Sequence, residues 1–575
     1  MTDDVVQVAE RLDRIEAALS ALDARLGALE RTTAAWVTTP AQAPPVVDAA
    51  APPALGAGDL APTAFESGLV LPLLGRTFIV FGGAFLLRAL TDAGRLPHAA
   101  GIVLGLLYAC ALIGASGRAA GRGQRLSAAF HALAASTIGL PVAWEATTRF
   151  AFVTPPMAMG LVGAFVAIAL AVAWVHRIQS LAGFATVGGV VTIAGLVMVV
   201  GGIAAGTLVL ILMGFATLWL GYDRDWHWMR WPAAIVANLA VIEIATRAVR
   251  PGRPEAPAVA IALQLLLLGG YLAMIALRTL VKGRLVIPFE VVQTVAVLAV
   301  GLGGAVSVAQ RVGTGELALG AVALALGAGC YGAAFAFVDR HQGLGENFYF
   351  YATLALVLTL TGASVVLAPH ALAVALSGLA VLAAVMANRF ARVALVLHCA
   401  VYVTMAAGIS GLFAAAVVAF TGTPVEGWPS LASPAWIALV AAGASLAVAA
   451  PARDALLTKV PRVVVALVVV SGCGTAVVLV MAPLFAGMPA APGPLAMLRA
   501  VVLAAAAVVL ALATRHERGA DLGRLLYPAL VVFAVKLVAE DVRLAEAGTL
   551  VVSLGLFGIA LLAAPRLARR TPAVT

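Results

Sequence analysis

The sequence predicts an all-α polytopic membrane protein, a bundle of roughly 18 transmembrane helices preceded by a cytoplasmic coiled-coil helix. Three observations carry that expectation. Apolar runs fill nearly everything from residue 69 to residue 566. Hydrophobic residues make up 63% of the 575-residue chain and charged residues 11%, with a mean hydropathy of +1.05. Lys and Arg collect in every second loop between the runs. A soluble domain of ordinary composition is roughly a quarter charged, so this chain could not cover a water-facing surface and takes lipid as its solvent. The runs are continuous, not alternating with period two, which favours helices over a barrel.

At the start, Val5, Val8, Leu12, Ile15, Leu19, Leu22, Leu26 and Leu29 recur at alternating steps of three and four. That is a heptad seam within a helix over residues 1–32, with Glu10, Arg11, Asp13 and Arg14 on its polar faces. Two readings stay open. The seam either joins a second copy or a partner protein through residues 5–29, or lies as an amphipathic helix on the membrane or on the protein's own body. The scarcity of Lys argues against the membrane surface. Residues 33–68 are rich in Ala, Pro and Thr, which excludes a helix and leaves a disordered or semi-extended linker.

The membrane domain is expected over 69–566, with a first span near 69–90 that acts as an uncleaved insertion signal. Further spans centre near 107, 134, 163, 191, 212, 240, 267, 297, 327, 357, 379, 407, 441, 474, 506, 531 and 556. Basic residues orient them. Counting the tail, one side holds about 21 Lys and Arg, among them Arg118, Arg278, Lys282, Arg389 and Arg515. The other side holds about 8: Arg95, Arg149, Arg247, Arg250, Arg253, Arg311, Arg499 and Arg543. By the positive-inside rule both termini, including the basic tail 567–575, are cytoplasmic. The same bias explains the net charge of +9 without a nucleic-acid partner.

Chemistry-bearing motifs are scarce. No P-loop, GxSxG, HExxH or Asp-rich metal motif appears, so no catalytic residue, metal or cofactor is assigned. Cys110, Cys330, Cys399 and Cys473 fall inside spans without CxxC spacing and read as apolar buried thiols. Ionisable groups inside a membrane are costly and mark function by default. The candidates are His131 and His398 in mid-span, Glu243 and Glu290 as deeply embedded carboxylates suited to proton or cation coupling, and the central Gln264. Pro288 is expected to loosen the helix around Glu290. Arg76 and Arg88 in the first span are close enough to its ends to snorkel. Glu145 and Arg149 are spaced for an interfacial i,i+4 pair, as are Lys536 and Glu540, with Asp541 at the outer interface. Gly201, Gly202 and Gly206 read as a small-residue packing face.

The first span and its exit, GRTFIVFGGAFLLRALTDAGRLPHAAGIVLG, resemble the opening of the membrane-protein family called domain of unknown function 2339. In that family a glycine-rich first span ends in a basic residue and an aspartate-glycine turn; Arg88, Asp92 and Gly94 stand at those places. LAGFATVGGVVTIAGL resembles a second family segment at Gly188, Gly189 and Thr192. The family usually follows that threonine with proline. Here it is Ile193, so a helix break does not follow from the resemblance. Lys536 and Asp541 resemble a C-terminal Lys-to-Asp pattern. The resemblance covers most of the chain by layout and three short segments by motif. It implies a bacterial cytoplasmic (inner) membrane protein with a coiled coil, a proline-rich linker and many spans, and no known activity.

Three functions are consistent with this pattern. A transporter-like protein for a solute, lipid or envelope glycan follows from many spans, embedded polar residues and no soluble domain. A non-catalytic scaffold follows from the heptad seam and the missing motifs. An intramembrane enzyme on a lipid-linked substrate would need acid, base and metal ligands that the sequence does not cluster.

Overall fold

The computed structural model describes residues 70–252, 255–337, 345–390, 392–423, 427–448, 456–487, 490–516, 522–544 and 547–568. The heptad seam, the linker and nearly all of the basic tail lie outside the described residues. The chain divides into two units, Met1–Leu74 and Gly75–Thr575, and the helical bundle belongs to the second.

All regular structure among the described residues is helical. The first seven helices are α1 (Val70–Asp92), α2 (His98–Gly121), α3 (Arg125–Thr148), α4 (Pro155–His176), α5 (Gln179–Val200), α6 (Ile203–Asp223) and α7 (Arg230–Ala248). α8 (Pro257–Ala276) runs on into a π turn at Leu277–Val281. α9 (Pro288–Val297) passes through a π turn at Leu298–Gly303 into α10 (Gly304–Val312). α11 (Glu316–Gly332) ends in a π turn at Ala333–Phe337, before α12 (Gly345–Val366) and α13 (Pro369–Phe390). α14 (Val393–Ile409), α15 (Leu412–Thr421), α16 (Ser433–Val448), α17 (Leu456–Phe485) and α18 (Pro492–Ala513) come next. α19 (Gly523–Lys536) continues through a π turn at Leu537–Asp541 into the short α20 (Val542–Leu544), and α21 (Ala547–Ala568) is last.

Local chemistry sets these ends. Proline opens α4, α8, α9 and α18 at the first helical positions, where its missing N–H costs nothing. Gly94 leaves α1 with φ of 68°, and the amides of Arg95 and Leu96 return to the Leu90 carbonyl. This is the aspartate-glycine turn expected from the sequence, and it needs the left-handed conformation that glycine supplies.

Thirteen described helical spans are long and apolar enough to cross a membrane, or 14 if a bent pair counts as one span. Large apolar side chains face outward along them, with Met198 84% and Leu484 75% exposed. Such a surface suits hydrocarbon, and the arrangement fits a multi-pass membrane protein. The bent pair is α14 and α15, which meet at 64°. A single span was expected around 407. Ser410 and Gly411 break it, with Gly411 at φ of 80°.

Buried residues form one large cluster from α2 to α12, a second from α12 to α17 and a third from α17 to α21. Alanine and glycine let the helices approach. A side chain at Gly188 would meet Leu140 of α3, and one at Gly189 would meet Val166 of α4 and Met213 of α6. α5 runs unbroken past Thr192, whose hydroxyl returns to the Gly188 carbonyl at 2.7 Å, and past the buried Ile193. The expected packing face at Gly201, Gly202 and Gly206 is corrected in part. Gly201 and Gly202 form the α5–α6 turn with positive φ; Gly202 also packs on Pro155 at the start of α4 and Gly206 on α5 and Met159 of α4, while Gly201 faces open space.

Candidate functional site

The densest group of charges inside the bundle lies where α18, the end of α19 and the end of α15 meet. Arg499 projects from the second turn of α18 and is fully buried. Its Nε donates to the Ala419 carbonyl at 2.8 Å, and its guanidinium also donates to the Gly422 carbonyl and to the Glu540 carboxylate. Ala419 and Gly422 belong to the end of α15, where helical geometry leaves carbonyls without intrahelical partners. Arg499 therefore holds the far half of the broken α14–α15 pair.

Glu540 joins this arginine to Lys536, 3.6 Å away. Lys536 Nζ donates to both oxygens of Asp541 at 2.8 Å and to the Ala496 carbonyl of α18. Asp541 is completely buried. The result is a continuous chain of alternating charge, Arg499–Glu540–Lys536–Asp541. Each ion has an opposite partner, which is what makes such burial sustainable.

The π turn at Leu537–Asp541 explains the geometry. Residues five apart stand about 140° around a regular α-helix and do not face each other. One extra residue per turn brings position i+5 beneath position i. Lys536 thus reaches Asp541 as well as Glu540. The wound-out turn buries Asp541 within the bundle. Arg499, counted with the loop residues, is corrected, because α18 already begins at Pro492.

The five residues proposed from the sequence are placed separately. Glu290 is fully buried at the first turn of α9. It accepts from Tyr222 Oη at 2.6 Å, from Arg278 Nη1 at 3.0 Å and from the Ile287 amide at 2.8 Å. Pro288 does not loosen this helix; it starts it, and Glu290 caps it. Gln264 is buried in α8, with Nε2 directed to the Val300 carbonyl at 3.3 Å, inside the π turn that follows α9. His398 is buried and joined through Nδ1 to Tyr331 Oη at 2.9 Å, which meets Tyr402 Oη at 3.0 Å. His131 bonds along its own helix to the Ser127 carbonyl at 2.6 Å. Glu243 is not deep: its side chain is 43% exposed, one turn from the end of α7, and pairs with Arg247 at 2.7 Å. The charge four residues on, close to the helix end, lets it face the interface.

These residues have separate hydrogen-bond partners. The sequence missed Tyr222, Arg278, Tyr331 and Tyr402, whose role appears only when distant helices pack. Arg499 had a readable signal: an arginine seven residues after the proline that opens an apolar run. The four cysteines are free, and no metal-binding group of His, Cys, Asp or Glu occurs among the described residues.

The first family-like segment also has a definite place. Arg88 pairs with Glu145 at 2.6 Å, and Asp92 with Arg149 at 3.0 Å. The expected Glu145–Arg149 pair within α3 is replaced by two bonds across to α1. Comparison with known proteins adds no relationship: no family model, curated protein or solved structure matches the chain.

Proposed function

We propose that the protein is a transporter-like component of the bacterial cytoplasmic membrane, in the domain of unknown function 2339 family, with roughly 18 spans and both termini cytoplasmic. The observation that carries the transport reading is the buried Arg499–Glu540–Lys536–Asp541 chain at the end of a broken helix. Ions inside a bilayer domain cost several kcal/mol, and they characteristically line ion or proton pathways. Discontinuous helices characteristically border transport sites, because their ends present free backbone groups. Here both features coincide with a π turn, a further mark of functional helices. Lys536 and Asp541 are the residues that exchange protons with the pathway, and Arg499 couples their state to α15 through Glu540 and the carbonyls it holds.

Reconstitution tests the reading. Vesicles carrying the protein and a luminal pH-sensitive dye should respond when a small-molecule and lipid extract of cells is added outside. Asp541→Asn should abolish the response. Identical traces for wild type, variant and protein-free vesicles would count against coupled transport.

A further inference from the structure

A cavity of about 300 Å³ lies between α1 and the α2–α3 pair, remote in sequence from the C-terminal charge chain. That size is at the lower end of the roughly 300–1,000 Å³ typical of small-molecule sites. Its walls are apolar: Phe81, Phe85 and Leu87 from α1, Ile102 from α2, and Ile138 and Val142 from α3. Tyr108 also lines it, but its hydroxyl is engaged by the Val80 carbonyl at 3.0 Å and offers little polarity. The polar groups gather at one end, where α1 stops, α2 begins and α3 finishes.

There the side chains form a chain of alternating sign. Glu145 meets Arg88 at 2.6 Å, Arg88 lies 3.9 Å from Asp92, and Asp92 meets Arg149 at 3.0 Å. Their side chains are 23–49% exposed, so each keeps an open flank. Because the charged end coincides with helix ends, it lies at a membrane face. Beside the cavity, α1 turns Ile79 and Leu86 outward, 76% and 61% exposed, which puts the hydrocarbon phase on the other side of a single helix.

We propose that this cavity takes an acyl chain of a zwitterionic phospholipid, with the headgroup phosphate on Arg88 and Arg149 and its ammonium on Glu145 and Asp92. The apolar walls match a hydrocarbon chain and offer few hydrogen bonds to a polar solute. The rim selects the headgroup. Two guanidinium groups and two carboxylates balance, so a zwitterion replaces each ion pair it opens with another. A purely anionic headgroup would take the arginines and set its phosphate beside two carboxylates that have lost their partners, like charge against like. The family-like residues Arg88 and Asp92 then serve lipid capture as well as the turn. This inference does not rest on the transport reading.

The test uses the full chain in phosphatidylcholine vesicles doped with phosphatidylethanolamine that carries a diazirine on one acyl chain. After illumination, labelled residues are mapped by mass spectrometry. Label should concentrate on Phe81, Ile102 and Ile138. Ala84→Trp and Thr137→Phe, which fill the cavity from opposite walls, should each cut it about tenfold. Thermal unfolding of both variants shows whether they fold, and either one suffices. Arg88→Gln combined with Glu145→Gln keeps the rim neutral and should remove the preference over a phosphatidylglycerol probe. Label spread equally to Met198 and Leu484 on the outer surface, or unchanged in a folded filling variant, overturns the site. Equal or stronger labelling by the phosphatidylglycerol probe in the wild type overturns the headgroup assignment.

Discussion

A lysine and an aspartate buried together in an apolar bundle stabilise each other only while both are present. Lys536 reaches both oxygens of Asp541, and neither residue has solvent to fall back on. Removing one partner of such a pair leaves an uncompensated charge and costs about 3–5 kcal/mol. Lys536→Met, which strands Asp541, should lower stability by that amount, and Asp541→Asn by less because Lys536 keeps Glu540 at 3.6 Å, both read as resistance to thermal unfolding in detergent. A loss below about 1 kcal/mol in both would mean that water reaches the pair. By contrast, Glu243→Gln should have little effect on stability, because its pair with Arg247 is exposed at a helix end. The sequence marked Lys536 and Asp541 through a family-like pattern, yet paired Lys536 with Glu540 alone. That misplacement has a physical source. Side-chain spacing was projected on a regular helix, and one extra residue in a π turn leaves hydropathy unchanged while rotating everything after it.

At the scale of elements, the apolar runs were readable because bilayer thickness fixes their length. Prolines at the starts of α4, α8, α9 and α18 sharpened the boundaries. What could not be read was the internal state of a helix. The π turns at Leu298–Gly303 and Ala333–Phe337 are wholly apolar, and those at Leu277–Val281 and Leu537–Asp541 carry Arg278 and Glu540 with Asp541, so they share no hydropathy signal. Two of them coincide with contacts between elements. Gln264 reaches the Val300 carbonyl inside one such turn, and Arg278 in another reaches Glu290. The α14–α15 break is different, because Gly411 is its local requirement. With φ of 80° there, a β-branched residue is strained. Gly411→Val should cost about 2 kcal/mol, and Gly411→Asn distinctly less, since Asn tolerates the left-handed region. Equal unfolding midpoints for the two variants would show that the turn does not hold the chain in that conformation.

At the scale of the molecule, the apolar exterior and the long helices fit a multi-pass membrane protein. Charge distribution bears on the proposed sidedness, which the helices alone do not. Reporter fusions at residues 120, 252 and 455 should place only 252 outside the cytoplasm. A fusion at 120 or 455 on the outside would break the proposed orientation and the even span count together. Long-range convergence was the part the sequence could not supply. It offered Glu243, Gln264, Glu290 and His398 as a group, whereas each of them packs with partners of its own. It dispersed Arg499 and Asp541, which the fold joins into one chain of charge.

That chain could serve the fold alone or the passage of ions, and replacing both members of one pair separates the two. Lys536→Met combined with Asp541→Leu removes a complete ion pair and leaves no lone charge, so stability should return close to wild type. The vesicle dye response should nevertheless be lost, because the groups proposed to exchange protons are gone. A stable double variant that keeps the full dye response would contradict the account.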